Sequence, residues 1–294
     1  MMCHNKGRMV LNMRYLSGFE HYLRSKDKSD NTISCYLRDM KQFIGWYKTK
    51  TEHGLDKIIE LDAVEYKKHL QKGKQAVITI NRKLASLNVF LQWMKEAGHI
   101  KEEISVKPIR NREVITYKGL EQQDVWKLRK EIHRQGNLMH ICIIELLLQT
   151  GIRVSELVNI RLSDIEISER KGTLAVIGKG NVKRTLPLNK DVRKAIERYL
   201  PERPEGDTDH LLIGQRGSLK RNAINLILSH YGDRLNIKVT PHMIRHTLGH
   251  TLVKQQIEIT TIQQIFGHSN IQTTNIYTVT TDKEMVQALE NVEW

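Results

Sequence analysis

The sequence predicts a mainly α protein with one small antiparallel β-sheet, divided into two domains. Apolar residues recur at i, i+3, i+4 and i+7 through most of the chain, the stripe of amphipathic helices. A polar stretch interrupted by Pro108 breaks that period. A single pair of β-prone runs flanks Gly178-Lys179-Gly180-Asn181, a hairpin turn signal. At 294 residues the chain is long enough to bury two cores of ordinary size.

The first helix is expected over Leu11–Arg24, with Leu11, Tyr15, Leu16, Phe19 and Leu23 on one face. The second, Thr32–Tyr47, carries Ile33, Tyr36, Leu37, Met40, Phe43 and Ile44, and Asp30 or Asn31 can cap it. Ala63–Gln71 and Val77–Ala97 supply the third and fourth, the last stopped by Gly98. Together they form a helical bundle over residues 1–107, with basic outer faces on which Arg38, Lys41, Arg82 and Lys83 stand. Residues 101–114 lack periodicity, and the linker is placed at 108–116.

The second domain, residues 117–294, opens with helices at Glu121–Gln135 and Leu138–Gln149. The latter is apolar on every side and is therefore expected in the core. Gly151 closes it and another turn begins at Ser155. Residues 173–177 and 182–188 form the hairpin that presents Lys179. Helices resume at Lys190–Leu200, Lys220–Leu235, Pro241–Gln255 and Thr260–Phe266.

Composition narrows the function. The formal charge is +14, with Lys and Arg in excess both before and after residue 110. Such a surface gains affinity for a polyanion by releasing its counterions. No apolar run approaches the ~18 residues of a membrane span, and the start lacks the apolar stretch of a secretory signal. The protein is expected in the cytoplasm, away from membranes. Cys3, Cys35 and Cys142 are widely separated and show no metal-binding spacing, so reduced structural thiols are expected.

Chemistry concentrates in the second domain. In Thr240-Pro241-His242-Met243-Ile244-Arg245-His246, threonine is a helix N-cap and proline occupies the first helical position. His242 and Arg245 then share one face at a helix N-terminus, where the dipole favours an anion. Gly267-His268 is a helix stop, and Ser269 with Gln272 forms a capping box for a turn that ends near Tyr277. His242, His246 and His250 stand four apart, a zinc-compatible spacing, but the glutamate of an H-E-x-x-H site is missing.

Four strings carry a family resemblance: Leu-Leu-Leu-Gln-Thr-Gly-Ile-Arg-Val-Ser-Glu-Leu at 146–157, Gly-Lys-Gly-Asn at 178–181, Pro-His-Met-Ile-Arg-His at 241–246, and Phe-Gly-His-Ser-Asn-Ile-Gln-Thr-Thr-Asn-Ile-Tyr-Thr at 266–278. In order and spacing the chain resembles the tyrosine recombinase (phage integrase) family, its short two-domain bacterial members above all. A looser match at 29–43 and 81–90 aligns residues 1–107 with that family's core-binding domain. The resemblance implies Arg153 and Arg245 as catalytic arginines, Lys179 as the hairpin lysine, His242 and His268 as the histidines, and Tyr277 as the nucleophile. It further implies a double-stranded DNA recombination site as partner, contacted by residues such as Thr32, Arg38, Lys41, Arg82 and Lys83, and a homotetramer that passes through a Holliday junction with Asp282–Trp294 docked on a neighbour. Gly249-His250 is a departure, standing where many relatives have other small or polar residues. No separate amino-terminal domain for arm-type sites is expected.

These residue types suit phosphodiester transfer. One oxyanion-type donor lowers a barrier by only ~3–4 kcal/mol, and phosphodiesters need far more, so several donors must act together. A free tyrosine with a pKa near 10 is only about a thousandth phenolate at neutral pH. Tyr277 therefore needs cations beside it and a base such as His242. No metal and no cofactor is demanded, because the phosphotyrosyl bond stores the energy needed for resealing. Three other readings stay open on the sequence: a DNA-binding accessory protein without cleavage, a monomeric type IB topoisomerase and, remotely, a zinc hydrolase. Cis or trans delivery of Tyr277 stays open as well.

Overall fold

The computed structural model describes residues 2–110, 118–178, 182–206 and 208–267, together with Thr274 and Tyr277, with side chains from Arg14 onward. The chain separates into two compact units, Met1–Val114 and Ile115–Trp294.

The first unit is helical: α1 (Met2–Ser25), α2 (Asp30–Lys50), α3 (Glu60–Lys72) and α4 (Val77–Glu96). The N-cap of α2 is Ser29, whose hydroxyl accepts from the Thr32 amide, so the cap sits one residue before the expected Asp30 and two before Asn31. The apolar stripes meet as the pattern predicts. Phe19 of α1 packs edge-on against Phe90 of α4, and Phe43 of α2 against Tyr66 of α3, each about 5 Å between ring centres. Leu84, Leu87, Leu91 and Met94 complete the core.

Two features depart from expectation. Residues 101–110 carry no helix or strand, yet Ile100, Ile104 and Val106 are buried in this unit's core. Two asparagines of α4 hold the segment down. Asn88 accepts from the Val106 amide (2.9 Å) and donates to its carbonyl (3.0 Å), and Asn81 does the same for Ile109 (2.7 and 2.9 Å). A carboxamide thereby replaces the neighbouring strand that an extended backbone needs. The other departure is Lys83. It is buried rather than on an outer face, and its amine donates to Gln75 Oε1 at 2.7 Å.

In the second unit α5 (Gln122–Gln135) and α6 (Leu138–Thr150) lead to the short helix α7 (Val154–Leu157). A three-stranded antiparallel sheet follows, in the order β1 (Ile165–Ile167), β2 (Gly172–Ile177), β3 (Lys183–Pro187), with Leu174 between Ile165 and Leu186. Then come α8 (Lys190–Tyr199), a two-residue ladder of β4 (Ile213–Gly214) with β5 (Gly217–Ser218), α9 (Arg221–Leu235), α10 (Pro241–Lys254) and α11 (Ile259–Phe266). β1 and the β4–β5 ladder are additions to the expected hairpin, too short to show a period of their own. As its all-round apolarity requires, α6 is the centre of the core, with Cys142, Ile143, Ile144, Leu146 and Leu147 buried. Among the described residues no helix is long and apolar enough to cross a membrane.

Candidate active site

The site is built where two helix ends meet. Both α6 and α11 stop at a glycine in the left-handed region, Gly151 (φ 60°) and Gly267 (φ 59°). Arg153 follows the first stop and is the N-cap of α7. Three residues on, Glu156 reaches back and accepts from the Arg153 amide (2.8 Å) and from its Nη1 (2.9 Å), a capping box turned to holding a guanidinium. Arg184 of β3 closes on the same carboxylate from the other side as a bidentate fork, at 3.0 and 2.8 Å. Burial alone would raise the Glu156 carboxyl, but the bonds from Arg184 and Arg153 outweigh it and hold the group below the usual carboxylate range.

Helix α10 brings the second arginine. Thr240 caps it, accepting from the Met243 amide at 3.2 Å, and Pro241 starts it, as the sequence predicts. Arg245 is 4% exposed and stacks on the Phe266 ring, 4.4 Å from its centre. Its guanidinium donates to the carbonyl oxygens of Gly151 and of Phe266, the latter at 2.8 Å. Those oxygens lie at the carboxy-terminal ends of α6 and α11, where the helix dipole favours a cation. One buried arginine thus pins together the carboxy-terminal ends of α6 and α11. Burial, then repulsion from Arg153, lowers the Arg245 guanidinium to about 10, which leaves it charged at neutral pH.

His242 lies one turn before Arg245's neighbour His246, and the two Nε2 atoms are hydrogen-bonded at 2.9 Å. Burial and the Arg245 charge push the His242 imidazole down, which favours its neutral form. His246 is buried and supports His242, and the His250 ring packs edge-on against Tyr277. Among the described residues no group of three His, Cys, Asp or Glu side chains could hold a metal ion.

Tyr277 sits among these residues of its own chain, 4% exposed, with its ring 5.4–5.5 Å from those of His246, His250 and Phe266. Its phenol is hydrogen-bonded to Arg245; burial raises its pKa, while Arg245 and Arg153 pull it back down. Gly249 makes room for the ring. A Cβ there would stand 2.6 Å from Tyr277 Cε1, so the glycine read from sequence as a family departure has a steric reason.

The structure therefore brings together Arg153, His242, Arg245 and Tyr277. Lys179 and His268 lie outside the described residues, as do the Ser269 capping box and Asp282–Trp294. Their chain neighbours Gly178 and Gly267 are described, and a Cβ on either would fall within 3.3 Å of Arg184 Nη1. Sequence reading missed Glu156 and Arg184 as members of this cluster. The R-x-x-E spacing of the capping box signalled the first. Nothing local to β3 signalled the second. In the helical unit Arg38 and Lys41 are exposed on α2. The Thr32 hydroxyl pairs with that of Ser29 (2.9 Å), and Arg82 is ion-paired with buried Asp39.

Comparison with known proteins agrees with this geometry. The profile of the phage integrase family matches residues 118–284, and that of the phage integrase N-terminal SAM-like domain matches residues 16–98. The tyrosine recombinase XerA of Pyrococcus furiosus is 31% identical over 96% of this chain and 94% of its own length. The TnP I resolvase of Bacillus thuringiensis is 28% identical over 88% of this chain and 93% of its own. Among solved structures, XerH bound to a palindromic difH substrate in a post-cleavage complex superposes with a TM-score of 0.74 at 16% identity, covering 95% of this chain and 96% of that one. The Tn1549 transposon integrase in complex with a circular intermediate DNA gives 0.72 at 19% identity, covering 95% and 99%. At these identities the two structures establish the shared fold alone. The chain belongs to the tyrosine recombinase (phage integrase) family.

Proposed function

We propose that this chain is a site-specific DNA recombinase that cleaves and rejoins double-stranded DNA through Tyr277, with residues 117–294 as its catalytic domain and residues 1–107 as its DNA-binding domain. The observation that carries the reading is a charge imbalance. Among the described residues, the guanidinium groups of Arg153, Arg184 and Arg245 share the neighbourhood of one carboxylate, Glu156, and Tyr277 is hydrogen-bonded to Arg245. A surplus of buried positive charge beside a potential nucleophile suits a phosphodiester.

In this mechanism Arg153 and Arg245 grip the nonbridging oxygens of the scissile phosphate. The Tyr277 oxygen attacks phosphorus and His242, neutral at pH 7, takes the phenolic proton. The bond from phosphorus to the 5′-oxygen breaks, leaving a 3′-phosphotyrosyl link. By family resemblance Lys179 supplies the proton that makes the leaving group a 5′-hydroxyl, and His268 adds a donor to the phosphate. Attack by a 5′-hydroxyl of another strand reverses the steps and reseals the backbone without ATP or water.

By family resemblance the chain works in the bacterial cytoplasm as a homotetramer that exchanges strands pairwise through a Holliday junction, in the service of a mobile element or of replicon dimer resolution, and a relative named as a resolvase fits that role. In the helical unit Arg38 and Lys41, exposed on α2, are the first candidates for DNA contact, with Thr32 and Arg82 beside them. Lys83 leaves that set because it is buried.

The test begins with footprinting to find the bound sequence, followed by incubation of a plasmid carrying two copies. Site-dependent exchange between the copies is the expected result. Supercoil relaxation without a cognate sequence would favour a topoisomerase, and binding without cleavage an accessory protein.

A further inference from the structure

Arg184 belongs to none of the motifs that define the site, yet its side chain joins three parts of it. It lies on β3 and is 12% exposed. Both arms of its fork end on Glu156, and its Nε donates to the Ile265 carbonyl of α11 at 3.2 Å. The hairpin, the Arg153 turn and the end of α11 are distant in sequence, and this one guanidinium ties them together. Its Nη1 also fills the space where a Cβ at Gly178 or Gly267 would stand, at 3.3 and 2.8 Å. Lysine could not replace it, since a single ammonium cannot engage both carboxylate oxygens and a carbonyl in one plane.

We infer that Arg184 is a positioning residue for strand cleavage: through Glu156 it fixes the guanidinium of Arg153 on the scissile phosphate. Without Arg184, Glu156 keeps one arginine partner instead of two and Arg153 loses its counter-support. An ångström of displacement at a reacting centre is enough to slow it by up to about a hundredfold. The Arg184 guanidinium is engaged by Glu156 and the Ile265 carbonyl, so DNA affinity should survive its removal.

The inference rests on the recombinase reading, and the test separates the two. Single-turnover cleavage is measured on a suicide substrate containing the mapped site, with either the natural phosphate or a neutral methylphosphonate at the scissile position. Wild type, Arg184→Lys and the double variant Arg184→Met with Glu156→Gln are compared, the last removing both charges so that none is stranded in the core. On the natural phosphate the variants should lose about 10–100-fold in rate while site binding changes by less than about threefold. On the methylphosphonate, which lacks the charge that Arg153 neutralises, the gap from wild type should shrink to within about threefold. Equal losses on both substrates, as general loosening of the fold would give, or no loss on either, would overturn the role of Arg184 while leaving the recombinase reading intact. A wild-type chain that forms no covalent adduct would overturn both.

Discussion

Glu145 and Glu156 lie in the same unit, one near the end of α6 and the other in the turn after it, and both are almost wholly buried, at 2% and 6% exposure. Their surroundings differ in sign. Glu145 takes a bidentate fork from Arg129 (2.8 and 3.0 Å), and that arginine also serves Asp191, so two carboxylates share one guanidinium with His133 at the edge. Glu156 is one carboxylate shared by Arg153 and Arg184, with Arg245 close enough to feel it. The first cluster ties α5, α6 and α8 together and needs nothing more. Among the described residues the second holds more positive than negative charge. Burial of a charge therefore says little about function, and the balance of charges around it says more.

Arg245→Lys should have the largest effect among variants that probe this contrast. Lysine keeps the charge but cannot reach two helix-end carbonyls and a phosphate oxygen together, so adduct formation should fall by about 10²–10³ with site binding retained. A loss below about tenfold would place Arg245 outside the machinery.

Next come the two glutamates, changed alike to glutamine. Glu156→Gln should slow cleavage by about 10–100-fold. Glu145→Gln should leave the rate per folded molecule alone and lower the melting midpoint by roughly 3–10 °C, from ~1–3 kcal/mol of lost charge-assisted bonding in a unit of this size. If the two variants behave alike in both assays, the distinction drawn from their charge balance is wrong.

Gly249→Ala is smaller and steric. It gains up to ~1 kcal/mol of helix propensity but drives a methyl into the Tyr277 ring at a cost of ~1–3 kcal/mol, so cleavage should drop roughly several-fold while the net stability falls by no more than about 2 kcal/mol. Wild-type rates would show that the ring does not occupy that cradle during the reaction.

The pH profile should move least. His242 must be neutral to accept a proton, and burial beside Arg245 depresses its pKa, so less acid is tolerated by an exposed histidine than by this one. The acid limb of cleavage at limiting DNA should have its midpoint below the ordinary histidine value of about 6.5. A midpoint above it would assign the limb to another group.

Much of this was legible in the sequence, for identifiable reasons. Helix periods, the Thr240 cap and the two glycine stops are local signals, and they located nine of the helical segments within a few residues, whereas α1 starts at Met2, nine residues before the expected Leu11. Arg153, His242, Arg245 and Tyr277 could be proposed because their family spacing is fixed. Arg184 could not, since its meaning depends on a strand register that places it beside Glu156. Lys83 departs from the expected outer face because a lysine on a bundle helix normally faces water, whereas Gln75 here gives its amine a half-buried partner. Residues 101–110 read as linker because an extended segment held by asparagine side chains has no period to display.

The most direct test of the central claim is to trap the covalent complex on a suicide substrate, digest it, and identify the nucleotide-bearing peptide by mass spectrometry. The account predicts that the adduct is carried by Tyr277 through a 3′-phosphate and is absent from Tyr277→Phe. An adduct on any other side chain, or one that survives the substitution, would contradict it.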